Sequence, residues 1–438
     1  LMHHAIGDHW SFGILLGELR QAYEALTQGR GVSLPRTDLD YADYAAWQRE
    51  RLDADSASRQ LQYWRQQLKD VTPLPLPTDF PRQSAHQGEG GAVHARLGLP
   101  LIARLKQLSL AKGVTPYMVM LACFQMLMAR ISGRTDVATA APIANRLGVF
   151  SEGLVGTFVN TLVMRCDLSG NPSFPELLAQ VQETALQAYA NQDVPFERLV
   201  DVLDIERDAS RAPVVQVLFN LVNAPFNVGQ FAGLKVEPFN FERRAAQFEL
   251  AIGVDLDALR EVQLNFASTL FAKATAQRLL DAFLSLVDGV LDSPNRHIDE
   301  YPILGEAQRQ ELVSWNQTAA SKPPHRSVAE MISTCAARAA DRPALRDTHA
   351  TLSHTQLDGQ SNRLARELRS RGISRGALVG LCVERSNAMV IAQLAILKSG
   401  AAYVPLDPEY PPQRLSMMAG DAKLALLITQ GAHAAILA

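Results

Sequence analysis

The sequence predicts an α/β protein in two successive parts, an α+β region followed by the opening of a parallel α/β layer. Three observations carry this. Alternating apolar stretches of strand character are interspersed with helical periodicities over residues 1–292. A stretch holding Pro294, Asn295, Pro302, Gly305, Asn316, Lys322, Pro323 and Pro324 interrupts that pattern over 293–326 and reads as an interdomain connection. From 327 to 438 short strands alternate with helices of about 10–15 residues, the rhythm of a parallel sheet.

The elements follow in order. Ile14, Leu15, Leu19, Ala22, Tyr23 and Leu26 recur at helical spacing, with Ser11 as the expected N-cap. Residues 41–68 form a second helical region bearing Tyr44, Trp47, Leu61 and Trp64. Pro73, Pro75, Pro77 and Pro81 break regular structure in a loop running to about Gly91, and 93–99 alternates as a strand. Helices are expected over 100–112 and 115–131, the second apolar nearly all round and therefore buried. Further strands fall near 136–142, 157–166, 214–222 and 250–256, and further helices at 173–190 and 272–291. In the last part, helices are expected at 329–340, 356–371 and 388–398, and strands at 344–346, 378–383 and 425–429.

Composition narrows the function. The 438 residues have room for two or three domains at about 150 residues each. Lys plus Arg is 42 against Asp plus Glu 45, a net charge of −3, so no strong field argues for nucleic acid or anionic membrane. Cys123, Cys166, Cys335 and Cys382 are far apart in apolar settings, which fits neither a disulfide framework nor a metal site and favours a reducing, cytoplasmic location. No apolar run reaches the roughly 18 residues of a membrane span. The chain opens on Leu1 with no initiator methionine, directly on a reactive-looking motif, and reads as a fragment.

That motif is His3, His4 and Asp8. Transfer of an acyl group from a thioester to an amine needs the amine deprotonated and the developing tetrahedral charge stabilised. Histidine, with a reference pKa near 6.5, accepts or shuttles that proton near neutrality. An aspartate four positions on, past a tight turn at Gly7, can return to fix an imidazole or pin the loop on an arginine. The same residues also suit a purely structural polar loop, and a His doublet with Asp is competent for metal, although nothing nearby has ligand spacing.

The neighbouring residues decide between these. Met2-His3-His4-Ala5-Ile6-Gly7-Asp8-His9-Trp10-Ser11 resembles the HHxxxDGWS motif of condensation domains in nonribosomal peptide synthetases. Tyr41-Ala42-Asp43-Tyr44-Ala45-Ala46-Trp47 is similar to that family's YxDYAxW, and the stretch from Gly156 to Arg165 to its GxFVNTLxxR. The stretch from Asn191 to Glu197 resembles HQDVPFE with Asn191 in place of His, and that from Arg207 to Pro213 resembles RDxSRxP. The resemblance implies a two-lobed, chloramphenicol-acetyltransferase-like fold around a tunnel. It implies His4 as the catalytic histidine beside His3, with Asp8 holding the loop through an arginine of an earlier lobe. His9 stands where the family has glycine, whose backbone freedom it lacks, so it is expected either to crowd the tunnel or to be tolerated. Asn160 is a candidate tunnel residue; Trp10 and an Asp208–Arg211 ion pair are expected to be structural.

The last part resembles amino-acid adenylation domains. Leu352 to Leu357 and Ser361 to Ala365 are similar to LTYxEL and SNxLA, with His354 at the tyrosine, and the stretch from Leu397 to Pro408 is close to LKAGxAYVPLDP. Neither a GxxxxGK[ST] nor an STGxPKG-type phosphate loop occurs. The expected organisation is therefore an N-terminally truncated condensation domain over 1–292, a linker over 293–326 and the N-terminal part of an AMP-binding domain over 327–438.

The implied activity is amide-bond formation between a carrier-bound peptidyl or acyl thioester and a carrier-bound aminoacyl amine. The implied partners are upstream and downstream peptidyl carrier domains bearing 4'-phosphopantetheine. No cofactor is expected on this stretch itself; ATP and Mg belong to a complete adenylation domain. An epimerization domain shares the histidine motif, and a non-catalytic scaffold that only docks carriers is the alternative of a different class. The adjoining adenylation segment favours condensation, and His3-His4 argues against heterocyclization, which would carry DxxxxD.

Overall fold

The computed structural model describes residues 2–52, 55–82, 88–146, 148–203, 211–222, 233–234, 245–322 and 327–431. The chain divides into two compact units, Leu1–Asn316 and Gln317–Ala438, each combining helices with sheet.

In the first unit the helices are α1 (His9–Thr27), α2 (Tyr41–Leu52), α3 (Asp55–Gln67), α4 (Leu99–Lys112), α5 (Pro116–Ser132), α6 (Val149–Glu152), α7 (Phe174–Ala190), α8 (Phe196–Val202), α9 (Lys273–Asp292) and α10 (Glu306–Trp315). The strands are β1 (Gly90–Arg96), β2 (Asp136–Ile143), β3 (Asn160–Asp167), β4 (Val217–Leu221), β5 (Leu250–Asp255) and β6 (Glu261–Ala267). They form one mixed sheet in the order β1-β6-β5-β4-β2-β3. β2 is parallel to β4 and β4 to β5, while the other neighbours are antiparallel.

The core explains which helices form where. Every residue of α5 from Met118 to Met128 is buried, as its apolar circumference requires. Thr115 caps that helix, accepting from the Met118 N–H, with Pro116 pre-set in the first turn. Trp64, Leu105, Phe124, Phe174, Phe219 and Phe283 are fully buried in the same core. Among the described residues no single helix is long and apolar enough to cross a bilayer.

Some expectations change. The N-cap of α1 is Asp8 rather than Ser11, and Ser11 is the residue whose N–H the cap receives. Gly7 is extended, with φ −178°, and makes no tight turn. β6 was not expected, although Val262, Leu264 and Phe266 alternate as buried positions along it. Residues 293–326 were expected to form a linker, yet their first half packs on the first unit. Tyr301 is 1 % exposed, the Phe174 N–H donates to the Arg296 carbonyl at 2.8 Å, and Arg130 donates to the Ile298 and Tyr301 carbonyls. The compact unit ends at Asn316, after α10.

The second unit holds α11 (Val328–Arg338), β7 (Pro343–Arg346), β8 (Thr351–Ser353), α12 (His354–Ser370), β9 (Leu378–Cys382), α13 (Asn387–Ser399), β10 (Ala402–Pro405), α14 (Pro412–Asp421) and β11 (Leu426–Thr429). β10, β9 and β11 form the parallel sheet that the strand–helix alternation predicts. β8, β10 and α14 were not expected. Gly400, at φ 90°, closes α13 in a conformation that favours glycine. Lys398 explains part of the LKSG and SN segments: its ammonium donates to Asp358 Oδ1 at 2.7 Å, Ser361 Oγ at 2.8 Å and Asn362 Oδ1 at 2.9 Å, locking α13 onto α12.

Candidate active site

The His3–Asp8 segment is a single 3-10 turn, His4–Ile6, leading into α1. His3 Nδ1 accepts the Ala5 N–H at 3.1 Å, so the His3 imidazole serves as the cap of this turn. His4 is exposed, and among the described residues no hydrogen bond engages its ring. Its backbone is held instead: the Thr157 hydroxyl donates to the His4 carbonyl oxygen. Both imidazoles are exposed, but the doublet divides by hydrogen bonding: the His3 ring is engaged by the Ala5 N–H and the His4 ring is not.

Asp8 is the anchor. Its Oδ1 accepts from the Ser11 N–H at 2.8 Å, the Ser11 hydroxyl at 2.8 Å and Arg146 Nη2 at 3.1 Å; its Oδ2 accepts from the Phe158 N–H at 3.0 Å. The Asp8 and Arg146 side chains are only 5 % and 2 % exposed. Burial by itself would raise the Asp8 pKa. The Ser11 N–H and hydroxyl, the Phe158 N–H and the Arg146 charge outweigh it, holding the carboxyl below the usual carboxylate range. Asp8 is therefore ionised and fully engaged, which is the state of a brace rather than of a proton carrier.

Arg146, which follows β2 in sequence, is the arginine that pairs with Asp8 among the described residues, where one from an earlier lobe was expected. Its Nη1 donates to the Ser151 and Leu154 carbonyls and its Nη2 also reaches Ser11 Oγ at 3.0 Å. The guanidinium lies over the Phe158 ring, 4.1 Å from the centroid, and over Trp10 at 5.6 Å. The Trp10 Nε1 donates to the Glu152 carbonyl at 3.0 Å.

Residues 156–158 lie against this loop along their length. Ser11 Oγ lies 2.7 Å from the Gly156 carbonyl oxygen and accepts the Gly156 N–H at 3.0 Å. The Tyr41 hydroxyl donates to the Thr157 carbonyl at 2.7 Å. The Tyr41 ring covers Gly156 so closely that a Cβ there would sit 2.0 Å from Tyr41 Cδ2. Tyr41 and Tyr44 pack on Phe158 at centroid distances of 5.3 and 4.4 Å, so the YxDYAxW segment serves as packing behind the histidine turn.

The remaining expected residues fall elsewhere. Asn160 was expected in a substrate tunnel. It is buried, its amide donates to the Gln192 and Val194 carbonyls at 2.9 and 2.8 Å, and its oxygen accepts the Phe196 and Thr161 N–H groups. All its polar capacity is spent within β3 and on pinning the 192–196 loop to it. Asp208 lies outside the described residues, so its expected pairing with Arg211 is not described. His9 is the exposed first residue of α1 and does not have positive φ, so that position does not demand glycine. Among the described residues no group of His, Cys, Asp or Glu could hold a metal ion.

Sequence reading missed Arg146, Thr157 and Tyr41 as parts of the site. Arg146 and Thr157 are 138 and 153 positions from the groups they hold, so no local periodicity points to them.

Comparison with known proteins fits this geometry. Residues 1–313 match the family model of the condensation domain, and residues 332–438 match that of the AMP-binding enzyme. Two polypeptides of the linear gramicidin synthase of Brevibacillus parabrevis are 40 % and 41 % identical to this chain, over 434 and 435 residues. Each match covers 98 % of this chain and 8 % of the synthase polypeptide. The chain thus spans under a tenth of the length of these relatives. A four-domain nonribosomal peptide synthetase solved in its holo form with AMP and glycine shares the fold, with a TM-score of 0.80 at 24 % identity over 98 % of this chain and 34 % of its own.

Proposed function

Because this chain belongs to the condensation-domain family, with a stretch of an AMP-binding enzyme domain after it, we propose that it is a segment of a nonribosomal peptide synthetase that forms amide bonds. An upstream carrier presents a peptidyl or acyl thioester and a downstream carrier an aminoacyl amine, each on a phosphopantetheine arm. The amine nitrogen attacks the thioester carbonyl, the C–S bond breaks, the upstream thiol leaves, and the chain passes downstream. Tethering both reactants supplies much of the rate gain by removing the entropy of encounter.

In this reading His4 receives or orients the amine proton, His3 caps the turn that carries it, and the Asp8–Arg146–Ser11 cluster keeps the turn in place. The observation that carries the proposal is the contrast within that turn: an exposed imidazole at His4 next to a buried, fully hydrogen-bonded carboxylate at Asp8. The condensation part is taken to extend to Asn316, and the reaction is placed in the cytoplasm. ATP and Mg enter only through a complete adenylation domain; the residues from 317 onward carry no phosphate loop, so no step is assigned to them.

The test is His4→Ala in a synthetase module carrying this sequence, with both carriers loaded beforehand. Amide product should disappear while amino-acid activation by the same polypeptide continues. Undiminished product would overturn the catalytic assignment and favour a docking scaffold. Loss of α-carbon inversion without loss of amide formation would point to epimerization.

A further inference from the structure

We infer that Thr157, braced by Tyr41, is a positioning residue for His4, its hydroxyl holding the His4 carbonyl and so fixing the backbone from which the imidazole projects. This rests on the reading of His4 as the reacting histidine. The turn His4–Ile6 has no buried residue, so apolar packing cannot orient it. Its fixed points are polar: the His3 cap at its start, Asp8 four residues beyond His4, and the Thr157 hydroxyl on the His4 carbonyl itself. Among the described residues only the last is a side-chain hydrogen bond to the residue that bears the imidazole.

Thr157 is in turn fixed from three directions. Tyr41 donates to its carbonyl at 2.7 Å, Ser11 holds Gly156 before it, and Asp8 accepts the Phe158 N–H after it. Glycine at 156 lets the Tyr41 ring lie on the backbone, because any Cβ would overlap that ring. The chain from α2 to the turn is therefore continuous: Tyr41 ring and hydroxyl, Thr157 backbone, Thr157 hydroxyl, His4 carbonyl. A displacement of about 1 Å at a reacting group costs on the order of 100-fold in rate, so a tether of this kind affects turnover more than binding.

The experiment compares Thr157→Val, Thr157→Ser and Tyr41→Phe with His4→Ala in the full synthetase module, measuring amide formation from pre-loaded carriers together with the thermal midpoint. Thr157→Val should lower kcat about 10-fold or more with KM for the loaded carriers nearly unchanged, and Thr157→Ser, which keeps the hydroxyl, should restore most of it. Tyr41→Phe keeps the ring on Gly156 and should lower kcat by about 3-fold or more with the midpoint unmoved. Wild-type turnover in Thr157→Val, or equal damage in Thr157→Ser, overturns the inference. If Thr157→Val loses its fold, Tyr41→Phe decides: wild-type kcat there overturns it. An active His4→Ala removes the underlying reading first; an inactive His4→Ala beside a fully active Thr157→Val removes this inference alone.

Discussion

Asp8 and Arg146 are nearly out of water, and a buried ion pair is sensitive mainly to losing one partner. Asp8→Asn leaves the Arg146 guanidinium buried without its counter-charge and should destabilise the first unit by about 3 kcal/mol in denaturant unfolding. The same carboxyl gives a pH signature. Its folded pKa lies below the ordinary value of 3.8, so its contribution is complete above that value and is lost as pH falls through the lower folded value. The stability gap between wild type and Asp8→Asn should therefore be constant near neutrality and shrink in acid; a gap that widens in acid contradicts the assignment. Gly156→Ala should push the Tyr41 ring off the backbone at about 1–3 kcal/mol and lower amide formation in parallel.

At the scale of elements, burial decides which helix tolerates change. Leu121, fully buried in α5, should cost about 2–5 kcal/mol as Leu121→Ala, whereas Leu186, exposed on α7, should stay within about 0.5 kcal/mol as Leu186→Ala. Equal midpoints for the two variants would contradict the placement of α5. Asn160 joins β3 to the loop before α8 by aiming its NH2 at two carbonyls. Asn160→Asp replaces donors with acceptors facing those carbonyls and should destabilise by about 1–3 kcal/mol, read as a lower thermal midpoint. The helices α4, α5, α7 and α9 were legible because their apolar periodicity is long.

The chain forms two compact units, and the first takes in residues whose proline and glycine content suggested a connection. Ile298 and Tyr301 complete the core of the first unit, so Tyr301→Ala should lower the unfolding midpoint of that unit by the equivalent of about 3–5 kcal/mol. A neutral result would return residues 293–316 to the status of a connection. Proline-rich composition marks irregular backbone; it carries no information about whether that backbone packs on a core.

The order of motifs and the four-residue spacing from His4 to Asp8 were determined by the sequence alone, as was the parallel layer after residue 326, because these depend on residue type and short spacing. What holds the site together was decided only by the tertiary structure. Arg146 reaches Asp8 and Thr157 reaches His4 across more than a hundred residues of chain. Hydrogen bonds between distant segments leave no periodic trace, since their geometry exists only once the sheet has brought β2, β3 and the histidine turn together.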